Sequence, residues 1–100
     1  MGPHRIFIAG AYGDYTPLGN RQGNVERLDE VTKQIMLKGH IPYNPVGQMR
    51  YFDDDARLTK KQFVAVSDDM LSLCDALMYV CGSPGADREY EIAKEQGKII

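Results

Sequence analysis

"DALMYVCGSPGADREYEIAKEQGKII", residues 75–100, carries the reading that decides the fold. It opens on a short, almost wholly apolar run, the pattern of a parallel strand covered on both faces. Gly82 and a Ser83-Pro84-Gly85 turn break that run. Ser83 is a good N-cap and Pro84 suits the first helical position. A helical pattern follows, Gly97 stops it, and Lys98-Ile99-Ile100 begins another strand. Strand, helix and strand at this spacing predict a parallel crossover, because two parallel neighbours need a long connection.

The same alternation extends back to the start. Residues 5–10, "RIFIAG", read as a buried strand ended by glycine. Residues 11–23, "AYGDYTPLGNRQG", are dense in turn formers and predict a loop. Asn24 is placed to cap a helix in which Val25, Leu28, Val31, Ile35 and Met36 recur at helical spacing, and Gly39 is placed to end it. "HIPYNP" is a second short strand bounded by prolines. Residues 49–58 are polar and acidic, a loop or a short irregular helix. A second helix runs from Thr59 or Lys60 to Leu73, with Phe63, Val66, Met70, Leu71 and Cys74 on one side. With 100 residues and no linker or repeat, residues 1–100 are expected to form one domain.

Composition narrows the function. Apolar residues make up 43% and charged residues 26%, as in a globular chain with a modest core. A net charge of −2 provides no basic field for nucleic acid. No apolar run reaches membrane length and the N-terminus lacks a signal-peptide core, so the expected location is the cytoplasm. Cys74 and Cys81 read as buried free thiols, and His4 and His40 are too isolated to imply zinc. Residues 52–57, "FDDDAR", lack the glycine and terminal glutamate of a calcium loop and read as a solvated run.

One charge stands out. At roughly 100° per residue, Gly85, Glu89, Ile92, Ala93 and Gln96 share one side of the last helix, and Asp87, Arg88, Glu91, Lys94 and Glu95 the other. Glu89 is therefore the only charged residue on the sheet-facing side. Burying a carboxylate is costly unless it is partnered. Glu89 either hydrogen-bonds a neighbouring loop or serves chemistry. In an open parallel sheet, ligands bind beyond the carboxyl ends of the strands. The loop after Gly10, the Pro45 region and residues 82–85 should converge there, with the last helix's N-terminus favouring anions.

Other residues have two readings each. Asp75 either binds ligand or ends the preceding helix. Arg21 either meets a phosphate or is solvated. Tyr43, Tyr51 and Phe52 either stack on a base or serve the core or a dimer contact.

The closing stretch resembles the nucleoside 2-deoxyribosyltransferase superfamily, nearest its small, uncharacterised deoxyribosyltransferase-like branch in phages and bacteria. The resemblance rests on Ser83, Gly85, Ala86, Glu89, Ala93, Gly97 and Lys98, with weaker support from "RIFIAGAY", the helix opening at Asn24 and "KGHIPYNP". It implies an α/β, flavodoxin-like (Rossmann-like) three-layer sandwich on a small parallel sheet of about four to five strands. It also implies cleavage or exchange of the N-glycosidic bond of a (deoxy)nucleoside or nucleoside 5′-monophosphate, through a glycosyl-enzyme intermediate on Glu89. Related lysine-decarboxylase-like phosphoribohydrolases place a glutamate after a comparable glycine-rich loop. Gly10, Tyr12, Asp14, Asn20, Ser83 and Gly85 would line the substrate pocket, and Asp68 would act as acid or base. Where characterised relatives place an orienting tyrosine and an aspartate, this chain has Phe7 and Ser67. Neither metal nor organic cofactor is implied, and the expected partners are a small nucleoside or nucleotide and further copies of the chain as a homodimer or larger. The competing expectation is a non-catalytic nucleotide-binding or sensor module of the same fold.

Overall fold

The computed structural model describes residues 3–10, 21–52, 55–80 and 82–100, without the side chains of residues 21 and 22. Tyr12, Asp14, Asn20, Cys81 and the Arg21 side chain lie outside this set.

The elements run β1 (Arg5–Ala9), α1 (Arg21–Leu37), β2 (Ile41–Tyr43), α2 (Pro45–Met49), a 3-10 turn (Arg50–Phe52), α3 (Lys60–Ser72), β3 (Ala76–Tyr79) and α4 (Pro84–Glu95). The three strands form a parallel sheet in the order β2-β1-β3. It is a mixed α/β fold compatible with the Rossmann-like class. The chain leaves β1 to one side and later returns to its other side, so the strand order reverses at β1.

The pleat of β1 divides the core. Phe7 and Ala9 join Leu71, Cys74, Leu77, Ala86 and Ala93, while Ile8 joins Leu28 and Ile35. Successive strand side chains point to opposite faces, so α3 and α4 cover one face of β1 and α1 the other. Phe7 and Leu28 are almost fully buried, each worth about 1.5–3 kcal/mol relative to exposure.

Several expectations need correction. β1, not β3, is the central strand. β3 is apolar yet has Met78 and Tyr79 each 41% exposed, because among the described residues only its base has an outer neighbour, the parallel bridge between Ala76 and Ile99. Asn24 is no cap: α1 begins at Arg21, and Asn24 lies inside it with 1% exposure. Met36 is 62% exposed, since the buried stripe passes through Ile35. Residues 45–49 form a helix that the glycine and proline there concealed, capped by Asn44, whose Oδ1 accepts from Gly47 N–H at 3.0 Å.

Helix ends follow local chemistry. Gly39 and Gly97 both take positive φ, 83° and 71°, as a left-handed helix stop requires. Thr59 and Gln62 form a reciprocal capping box on α3. Ser83 Oγ accepts from Ala86 N–H at 3.0 Å, capping α4 with Pro84 in its first turn.

Candidate functional site

Glu89 is set on α4 by a stripe of Ala86, the half-buried Tyr90 and Ala93, at i, i+4 and i+7. The stripe is rotated from the expected one, leaving Gly85 and Gln96 exposed. Small alanines let α4 approach the sheet closely, which draws the longer Glu89 side chain into the half-buried space between α4 and α3. Burial there pushes its carboxyl above the ordinary carboxylate range. A hydrogen bond from Ser67 works against that rise, the nearby Asp68 charge adds to it, and Arg88 opposes it.

Ser67 Oγ donates to Glu89 Oε2 at 2.5 Å. Asp68 is turned away to the rim, where its two oxygens accept from the two terminal nitrogens of Arg88, each at 2.8 Å. That hydrogen-bonded guanidinium holds the Asp68 carboxyl below its usual range. A carboxylate so held favours its ionised form. Asp68, the expected acid or base, is thus placed at the rim, and the α3 residue that hydrogen-bonds Glu89 is Ser67.

Two clefts meet at Glu89. One, of about 250 Å³, is lined by Ile8, Gly10, Pro45, Val46, Met49, Arg50, Lys60, Phe63, Val64, Ser67 and Glu89. The other, of about 220 Å³, is lined by Lys60, Val64, Ser67, Pro84, Gly85, Arg88 and Glu89. Gly10, Pro45 and Gly85 thus converge on one region beyond the carboxyl end of β1, where the strand order reverses and ligands bind in such sheets.

The glycines differ in their reasons. A Cβ on Gly10 would collide with Leu28, so close packing of α1 on β1 demands glycine there. Among the described residues, a Cβ on Gly85 would meet only Ser83 Oγ, at 4.0 Å, so none of them requires glycine at position 85. Ser83 is spent on its cap.

Other candidates are placed elsewhere. Asp75 sits at the opposite end of the sheet, where Oδ2 accepts from Arg5 N–H at 2.9 Å and lies 3.9 Å from His4 Nδ1. Tyr43 packs against the core, Tyr51 is 73% exposed beside Arg50, and Phe52 is 48% exposed. Asp55 is paired with Arg57 at 2.7 Å. Cys74 is buried, and burial pushes its thiol up to about 11. Among the described residues, no group of three or more His, Cys, Asp or Glu is arranged to hold a metal ion, and no helix is long and apolar enough to cross a membrane.

Sequence reasoning missed Ser67 as a partner of Glu89, and also missed Lys60, Val64, Val46 and Arg50 as lining. A signal existed. Lys60, Val64, Ser67, Leu71 and Cys74 follow helical spacing, and a wheel centred on Leu71 places Ser67 inward and Val66, 39% exposed, outward. Arg50 gives no such signal; its guanidinium is oriented by Asp29 at 3.2 Å across 21 residues.

No family model matches the chain, and no curated protein matches it.

Proposed function

We propose that this protein cleaves or exchanges the N-glycosidic bond of a (deoxy)nucleoside or nucleoside 5′-monophosphate, with Glu89 as nucleophile. The observation that carries the proposal is the inward, half-buried carboxylate of Glu89 at the junction of two clefts beyond the carboxyl end of β1. Each cleft is smaller than the ~300 Å³ at which ligand pockets begin. A sugar seated over Glu89 would use both, with the base in one and the 5′ end in the other.

In the first step a Glu89 oxygen bonds to the anomeric carbon as the carbon–nitrogen bond breaks, and its electron pair leaves with the base, which takes up a proton from solvent. An oxocarbenium-like transition state is stabilised by the adjacent carboxylate before the bond forms. In the second step water or another base attacks the same carbon, the carbon–oxygen bond to Glu89 breaks, the carboxylate is regenerated and the attacking group releases its proton to solvent. Gly85, which none of the described residues requires to be glycine, would let substrate approach the α4 backbone. Gly10 lines the cleft by its backbone. Tyr12, Asp14 and Asn20 are proposed to complete the pocket, and Ser83 to shape its approach.

The same reading takes the Ala76–Ile99 bridge as the start of a fourth strand in a flavodoxin-like, three-layer sandwich. It places the protein in the nucleoside 2-deoxyribosyltransferase superfamily, acting in the cytoplasm as a homodimer or larger assembly.

A second reading, a non-catalytic nucleotide-binding module, is favoured by Phe7, which is fully buried and offers no hydroxyl, and by Ser67, which offers no carboxyl. Incubation with deoxynucleosides and nucleoside monophosphates, followed by chromatography of free base, separates the two. The enzyme reading expects base release that Glu89→Ala lowers by about 10³-fold or more, with nucleotide binding retained. Wild-type protein that binds nucleotide and never releases base overturns it in favour of the binding module.

A further inference from the structure

Helices α3 and α4 meet through two polar bridges in step. Ser67 reaches Glu89, and one residue further out on both helices Asp68 reaches Arg88. The outer bridge uses both terminal nitrogens of Arg88. The guanidinium is therefore held outward and does not hydrogen-bond the carboxylate beside it. Among the described residues, Ser67 is the one group that hydrogen-bonds Glu89, and Oε1 accepts no hydrogen bond. A serine within a helix ordinarily turns its hydroxyl back onto the carbonyl one turn earlier. Ser67 instead sends it across to α4.

We propose that Ser67 is the positioning residue of the site: its hydroxyl holds Oε2 of Glu89 against α3 and leaves Oε1 as the oxygen presented to substrate. The proposal rests on the reading of Glu89 as nucleophile and adds the group that aims it. Phe7 packs wholly within the apolar core with Leu71 of α3's end and Ala86 and Ala93 of α4. That packing fixes α3 against α4, so the span from Ser67 to Glu89 is set by rigid elements. A carboxylate with one oxygen tied and the other open has a single attacking atom and few competing rotamers. This is what a near-attack geometry requires.

The groups around Glu89 are Ser67 and Lys60 from α3, Arg50 from the 3-10 turn and Gly85 from α4, with the paired Asp68 and Arg88 at the rim. Removing the Ser67 hydroxyl leaves the carboxylate with less support in its buried setting, so it gains a proton more readily. The carboxylate would also lose its fixed orientation, which slows attack even where it is fully ionised.

The test uses glutamate labelled at the side-chain carboxyl carbon, with Glu89→Gln identifying the Glu89 resonance. Its titration is followed in wild type, Ser67→Ala and Ser67→Thr, with base release measured across pH in the same proteins. Ser67→Ala should move the Glu89 midpoint to higher pH and lower base release by about 10–100-fold, the scale of losing a group that orients a reacting one, with the deficit persisting above both midpoints. Ser67→Thr keeps a hydroxyl and should restore both. An unmoved midpoint in Ser67→Ala overturns the hydrogen-bonding claim. A moved midpoint with a full rate at high pH confines Ser67 to tuning charge and overturns positioning. If wild type releases no base, the catalytic reading fails, while the titration still decides whether Ser67 holds Glu89.

Discussion

Asp68 and Arg88 form a two-pronged ion pair one residue outside Ser67 and Glu89 on both helices, with both oxygens and both terminal nitrogens engaged at 2.8 Å. The pair closes the rim of the smaller cleft and keeps a second carboxylate from turning toward Glu89. Its side chains are 50% and 37% exposed, so water and salt screen it, and such pairs are worth about 0–1 kcal/mol. Asp68→Asn should therefore lower stability by no more than about 1 kcal/mol, less at high salt, in urea denaturation. Asp68 is held below its usual range, so its contribution is present above the unfolded-state value and lost as pH falls through the folded one. The difference between wild type and Asp68→Asn should vanish in acid. Base release retained in the variant would remove Asp68 from the chemistry; its abolition would support the acid or base role.

Glu89 has the opposite sign. Its folded carboxyl is raised by burial, so folding is disfavoured by its ionisation. The stability it permits is fully present below the ordinary glutamate range and declines as pH rises through the folded value. Glu89→Gln removes that charge and should be more stable than wild type at pH 7 by about 1 kcal/mol, the usual size of a single stabilising substitution. The two proteins should converge in acid, as followed by thermal melts across pH. A Glu89→Gln protein less stable than wild type at pH 7 would contradict the burial described here.

The two cleft glycines should separate cleanly. Gly10→Ala drives a methyl into Leu28 and should cost about 1–3 kcal/mol by overpacking. Gly85→Ala enters open space and should leave stability unchanged or raise it by up to about 1 kcal/mol. Nucleotide affinity, read by calorimetry, should fall in Gly85→Ala if substrate approaches that backbone.

Cys74 should be chemically silent while the protein is folded. Its thiol is raised from 9.0 to about 11 by burial, so its thiolate at neutral pH is about 100-fold scarcer than an ordinary one. In a Cys81→Ser background, a disulfide-exchange reagent should label Cys74 at least about 100-fold more slowly than in denaturant. Equal rates in the two conditions would show that this part of the core opens freely.

Much was legible from residue order because the physics is local. Ser83, Pro84, Gly39 and Gly97 bound their helices by capping and backbone preference. The periodicity of α3 and α4 and the apolar runs at residues 6–9 and 76–79 predicted the strand–helix alternation and hence a parallel sheet. The inward charge at Glu89 followed from the same periodicity. Where local signals misled, a tertiary contact had overridden them. Asn24 has the chemistry of a cap but is buried within α1, and the all-apolar β3 is half exposed because β1 took the central place.

Residue order alone therefore fixed most of the elements, the helix ends at Gly39, Ser83 and Gly97, and the inward direction of one carboxylate. Only the tertiary structure decided what that carboxylate meets. The strand order β2-β1-β3 brings α3 and α4 side by side over Phe7, and their relative rotation selects Ser67 over its neighbour Asp68 as the residue opposite Glu89. A step of one residue turns a helical side chain by roughly 100°. The identity of the partner thus depends on how two helices, 22 residues apart in sequence at this contact, roll against a shared core.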